Sequence, residues 1–96
     1  MERKRNKDVD ALFDAILSLK SREECYSFFT DALTVKEVQE IAQRLKAAKM
    51  LKAGSSYIEV CKETGMSTAT ISRVSKALEN GEGGYDIVIK RTEKTK

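Results

Sequence analysis

Arg73 stands in a run, Ala69-Thr70-Ile71-Ser72-Arg73-Val74-Ser75-Lys76, that mixes hydrogen-bonding and small apolar side chains and contains no acid. Wound as a helix at about 100° per residue, the run divides in two. Ile71, Val74, Ser75 and Leu78 share one face. Ala69, Ser72, Arg73 and Lys76 share the opposite face, with Thr70 at its border. The second face has the chemistry of a surface that reads base edges. A guanidinium grips guanine through two hydrogen bonds, hydroxyls bond several bases, and an alanine methyl meets the thymine methyl. Lys76 suits a phosphate, and backbone groups of Ser67 and Thr68 at the helix start could hold another. The competing reading makes Thr70 and Ser72 ordinary exposed helix residues.

A reading face is useful only if something holds it outward. Two short helices joined steeply by a three- or four-residue turn do so, and residues 56–79 meet the demands of that corner in register. Cys61 supplies a small residue where the second helix crosses the first. Gly65 supplies a turn residue free to take positive φ. Ile58, Val60, Met66, Ile71 and Val74 are the apolar residues expected to close the corner, and Ser67 the cap of the second helix. This pattern predicts a helix-turn-helix, with helices over 57–64 and 68–79.

The remaining elements are also helical by pattern. Val9, Leu12, Phe13, Ile16 and Leu17 recur at three- and four-residue steps and predict a helix over 8–19. Asp8 and Asp10 favour its N-terminus. Ser21 and Glu24, Thr34 and Glu37, and Ser56 and Glu59 each have capping-box spacing. They open helices over about 22–31, 35–52 and 57–64, and Gly54 ends the long middle one. Tyr26, Phe28 and Phe29 place half of the six aromatics within four residues, which suits a core or a dimer seam. After the loop Asn80-Gly81-Glu82-Gly83-Gly84, alternation in Tyr85–Ile89 predicts a short strand or extended arm, and residues 91–96 a solvated tail. The expected organisation is a single domain over 1–96. Residues 8–53 form a helical dimerisation and core part, 56–79 the helix-turn-helix, and 81–96 a loop and basic tail.

The chain has 96 residues, 41% hydrophobic and 34% charged, with no His, Trp or Pro. Its net charge of +3 is concentrated at the ends: residues 1–7 carry +3, residues 90–96 carry +3, and the middle carries −3. Within the middle, Arg44, Lys46, Lys49 and Lys52 form a basic stretch with no acid between Glu40 and Glu59. Such a stretch is either a solvated helix face or a source of phosphate contacts. Cys25 and Cys61 lack paired spacing, so they read as reduced, mostly buried thiols, and a chain without His is a poor zinc ligand set. No apolar run approaches the roughly 20 residues that span a bilayer, and the basic N-terminus lacks a signal-peptide core. A cytoplasmic protein without membrane association is expected.

From Leu33 to Leu78 the sequence resembles the Trp repressor family, in particular the YerC/YecD group of Trp-repressor-like proteins. The resemblance rests on Leu33-Thr34 before the long helix, Arg44 within it, Gly54 at its end, and Gly65 with Ala69-Thr70-Ile71-Ser72-Arg73 in the reading head. It implies an all-α, Trp-repressor-like bundle, an intertwined homodimer and a roughly palindromic double-stranded DNA target. It also places Thr34, Arg44 and Arg73 at positions that contact a tryptophan corepressor in that family. The sequence departs beside them, where Val74 replaces a glycine and Ala77 a serine. These changes fill the site and remove a hydroxyl, which argues against tryptophan. Another small-molecule corepressor stays open, and so does none, with Arg44 and Arg73 reaching phosphates instead. Arg73 cannot easily serve both a buried ligand and a base.

An enzyme is not expected, because there is no His, no phosphate-binding loop and no convergent pair of carboxylates. Gly83-Gly84 alone is no phosphate cradle. The sequence-level reading is therefore a sequence-specific DNA-binding transcriptional regulator, a repressor in particular. The rival is a helical protein-interaction module that does not read DNA. A third possibility is a DNA-binding fragment that needs a partner chain to set half-site spacing.

Overall fold

The computed structural model describes residues 5–93. Six helices follow one another: α1 (Lys7–Leu17), α2 (Arg22–Ala32), α3 (Val35–Lys52), α4 (Tyr57–Thr64), α5 (Thr68–Asn80) and α6 (Gly84–Glu93). There is no strand among the described residues, so the fold is all-α as expected. None of these helices is long and apolar enough to cross a membrane. The basic residues Arg3, Lys4, Lys94 and Lys96 lie outside the described residues. The chain forms two compact units, one ending at Val38 and one beginning at Gln39.

In the first unit, short polar side chains set the helix starts. Asn6 caps α1, its side-chain oxygen accepting from the Val9 N–H at 2.8 Å. The helix therefore begins one residue before the expected Asp8, which lies instead in the first turn beside Asp10. It ends at Leu17, two residues short of the expected Leu19, where the Ser18 hydroxyl donates to the Ala15 carbonyl at 2.6 Å. Ser21 caps α2 by accepting from the Glu24 N–H at 3.1 Å. The Glu24 carboxylate reaches the N–H of Lys20 at 2.8 Å, one residue before the position that a capping box uses. Neither α1 nor α2 contains a fully buried residue. Phe28 and Phe29 meet edge to face with ring centroids 5.2 Å apart, and both are half-buried.

The second unit contains every fully buried hydrophobic among the described residues: Ala47, Ala48, Val60, Ile71, Val74 and Ile89. The two alanines are the fully buried residues of α3, and Leu45, Met50, Leu51, Cys61, Met66, Leu78 and Tyr85 pack around this nucleus. Gly54, at φ +100°, turns the chain out of α3. The Ser55 N–H closes that end on the Met50 carbonyl at 2.9 Å. Cys25 and Cys61 are free thiols, and both are half-buried.

The extended arm expected at Tyr85–Ile89 is instead the first half of α6. Within five residues, alternation and helical periodicity both bring Tyr85 and Ile89 to one side. Two features favour the helix. Asp86 lies in the first turn and Lys90 and Arg91 in the last, each matching the helix dipole. Ile89 is 1% exposed in the core with Tyr85 packed beside it, whereas Ile87 and Val88 stay exposed. A lone extended segment would also leave its N–H and C=O groups without a sheet edge. Residues 91–93, expected as solvated tail, form the last turn of α6.

If α6 is part of the core, Ile89→Ala should lower unfolding stability by about 2–4 kcal/mol, as buried large-to-small changes do. Urea denaturation followed by circular dichroism checks this. An unchanged midpoint would mean that α6 does not dock.

Candidate nucleic-acid interface

Residues 56–80 form the helix-turn-helix from the caps upward. Ser56 and Glu59 make a complete capping box: the Ser56 N–H donates to the Glu59 carboxylate at 2.8 Å, and the Glu59 N–H donates to the Ser56 hydroxyl at 3.2 Å. At the other end of α4, Gly65 takes φ +73° and its N–H donates to the Cys61 carbonyl at 2.8 Å. A residue with a Cβ would cost roughly 1–2 kcal/mol in that conformation. Thr64 contributes a lock that sequence reasoning missed. Its hydroxyl donates to the Val60 carbonyl at 2.7 Å and accepts from the Met66 N–H at 3.2 Å. The turn amide is thereby satisfied. The available signal was a Thr immediately before the turn glycine, a residue type that bonds local backbone readily.

Ser67 then caps α5, accepting from the Thr70 N–H at 3.2 Å. Its hydroxyl also lies 3.1 Å from the Thr70 hydroxyl. These two side chains are tied together at the start of the helix. Thr68 and Ala69 beside them are exposed.

α4 and α5 pack on each other through Val60, Ile71 and Val74, all buried, with Cys61 and Met66 half-buried at the edge. Ile58 does not close the corner as expected, being 70% exposed. It lies about 200° around α4 from Val60, so the turn that buries one exposes the other. On α5 the expected division appears except at Ser72, which was expected on the outward face. Ile71 and Val74 are buried and Ser75 and Leu78 half-buried, while Ala69, Arg73 and Lys76 are exposed on the other side. Ser72 and Thr70 are half-buried at the borders. Among the described residues, neither Arg73 nor Lys76 forms a salt bridge.

The basic stretch on α3 is split in use. Lys46 pairs with Glu63 of α4 at 3.6 Å and Lys52 with Asp86 of α6 at 2.6 Å. Lys49 is exposed and unpaired among the described residues, and Arg44 is half-buried.

The three effector candidates have different settings. Thr34 is engaged in a capping box. Its N–H and hydroxyl both reach the Glu37 carboxylate, at 2.9 and 3.1 Å, and the Glu37 N–H donates back to the hydroxyl at 3.1 Å. The backbone bond and then the hydroxyl bond hold the Glu37 carboxyl below its ordinary pKa. Thr34 belongs to the first unit, and Arg44 and Arg73 to the second. A shallow concavity of about 400 Å³ in the first unit is lined by Leu19, Glu23, Glu24, Ser27, Phe28 and Asp31, and by none of the three candidates.

Comparison with known proteins agrees with this architecture. Residues 7–93 match the family described as Trp repressor protein. The uncharacterized protein YerC of Bacillus subtilis (strain 168) is 47% identical over 95 residues, spanning 99% of this chain and 91% of its own. The crystal structure of a candidate Trp repressor from Staphylococcus aureus has a TM-score of 0.89 at 49% identity, covering 93% of this chain and 89% of that one. A TrpR-like protein from Eubacterium eligens ATCC 27750 has a TM-score of 0.90 at 45% identity, covering 93% and 92% respectively.

Proposed function

Because the chain belongs to the Trp repressor family, a family of DNA-binding regulators rather than enzymes, we propose that it is a sequence-specific transcriptional repressor that binds double-stranded DNA as a homodimer. One observation carries this reading. α5 locks Ile71 and Val74 into the core and turns Ala69, Arg73 and Lys76 outward with no competing ion pair among the described residues. In this reading α5 enters the major groove. Arg73 grips a guanine, Ser72 and Thr70 bond base edges, and Ala69 meets a thymine methyl. Lys76 and the backbone at Ser67 and Thr68 hold phosphates. Tryptophan has no place in it. Val74 is 2% exposed, filling the corner beside Arg73, and Ala77 offers no hydroxyl.

The homodimer is supported by what the first unit fails to bury. Leu12 is 43% exposed, Phe13 50%, Leu17 81% and Tyr26 68%. The start of α3 adds Val35, also exposed. Apolar surface this extensive is unfavourable in water, and a second copy intertwined through these helices would cover it.

Arg73→Ala should weaken binding to a selected duplex by about 1–3 kcal/mol while binding to random duplex changes little. Titrations at several salt concentrations give the comparison, with wild-type affinity falling steeply as salt rises. Equal loss on every sequence would remove Arg73 from base reading, and no duplex binding at any salt concentration would favour a protein-interaction module. Light scattering should return a dimer mass at micromolar concentration. A fully helical monomer would contradict the intertwined arrangement.

A further inference from the structure

We propose that Lys52 and Asp86 form a positioning pair that tunes the sequence selectivity of α5, and that Lys52 is not a phosphate ligand. The inference rests on the DNA-reading role of α5 and assigns a task to α6, which that role leaves without one. Lys46, Lys49 and Lys52 recur at three-residue steps on the solvent side of α3. As sequence they look like a uniform phosphate-binding row, but the fold treats them differently. The outer two are tied to flanking helices, Lys46 to Glu63 on α4 and Lys52 to Asp86 on α6. Lys49 between them is unpaired among the described residues.

The Lys52 pair is the shorter of the two at 2.6 Å, and it is doubly placed. Lys52 lies in the last turn of α3 and Asp86 in the first turn of α6. Each charge therefore also complements the dipole of its own helix. The pair joins the two helix ends beside the point where Ile89 enters the core.

α6 matters to α5 because the two pack together. The N-terminus of α5 is held by the Gly65 turn and the Ser67 cap. Its far end runs into Gly81, whose N–H bonds the Ala77 carbonyl at 2.9 Å and where an added Cβ would strike that same oxygen. From there a short link, Gly81 to Gly83, leads into α6. Small changes in how α6 sits are therefore transmitted as tilt of α5 about its N-terminal turn. Base contacts tolerate only about half an ångström of misplacement, whereas phosphate contacts tolerate more and carry no sequence information. Loosening α6 should thus cost selectivity before general affinity.

The test uses the full chain with Lys52→Met, Asp86→Asn and the double variant. Each is titrated with the selected duplex and with random duplex over a range of salt. The proposal expects each single variant to reduce the ratio of selected to random affinity by about two- to fivefold, the scale of an exposed ion pair. The double variant should be no worse than either single one, and the salt slope should be unchanged. A phosphate-binding Lys52 gives the opposite pattern: Lys52→Met lowers the slope by about 0.9, and Asp86→Asn tightens binding to all sequences. That result overturns the proposal, as does an unchanged ratio in all three variants. A wild-type chain that binds both duplexes equally overturns the reading role of α5 itself, and the positioning role falls with it.

Discussion

The second unit depends on one small shared core, to which α3 gives Ala47 and Ala48 as its fully buried residues. Both residues are fully buried and neither extends past a methyl group. Val60, Ile71, Val74 and Ile89 complete the core with them, one or two residues from each of α4, α5 and α6. A core this small leaves little freedom in how the helices are arranged, because each buried side chain must fill its share of a tightly packed space. The outward face of α5 follows directly. Once Ile71 and Val74 point inward, helical geometry sends Ala69, Arg73 and Lys76 outward. The proposed reading face is in this sense a by-product of packing.

Polar contacts surround this small core. With so few buried residues, exposed polar groups do much of the local fixing. Capping boxes start α3 and α4, the Thr64 hydroxyl satisfies the turn amide, and lysines of α3 reach acids on α4 and α6. The first unit contrasts with this. Its helices are well capped yet bury no residue fully. Their apolar faces are what a second copy of the chain would cover, so the proposed dimer and the monomer's exposed seam are two views of one imbalance.

Much of this was legible in the residues. Ser21, Thr34, Ser56 and Ser67 begin their helices where capping chemistry puts them, and Gly54 and Gly65 end theirs in positive φ. The two faces of α5 follow from helical periodicity, and the family resemblance gave the architecture. The differences have separate causes. Tyr85–Ile89 is too short for its period to distinguish helix from strand, and only the docking of Ile89 decides it. Ile58 has the composition of a corner residue but the wrong angular position. Asn6 caps α1, and the acids Asp8 and Asp10 that mark a helix start in sequence lie in its first turn. The pairing of Lys46 and Lys52 depends on which helices lie alongside α3, which local sequence does not encode.

The central claim is that the outer face of α5 meets the bases. Amide-resolved NMR of the full chain, titrated with a duplex recovered by selection from a random library, tests it most directly. The largest shifts are expected at Thr68, Ala69, Thr70, Ser72, Arg73 and Lys76, with the buried Ile71 and Val74 moving less. Shifts confined to the exposed apolar residues of α1 and α2, with α5 unmoved, would contradict it.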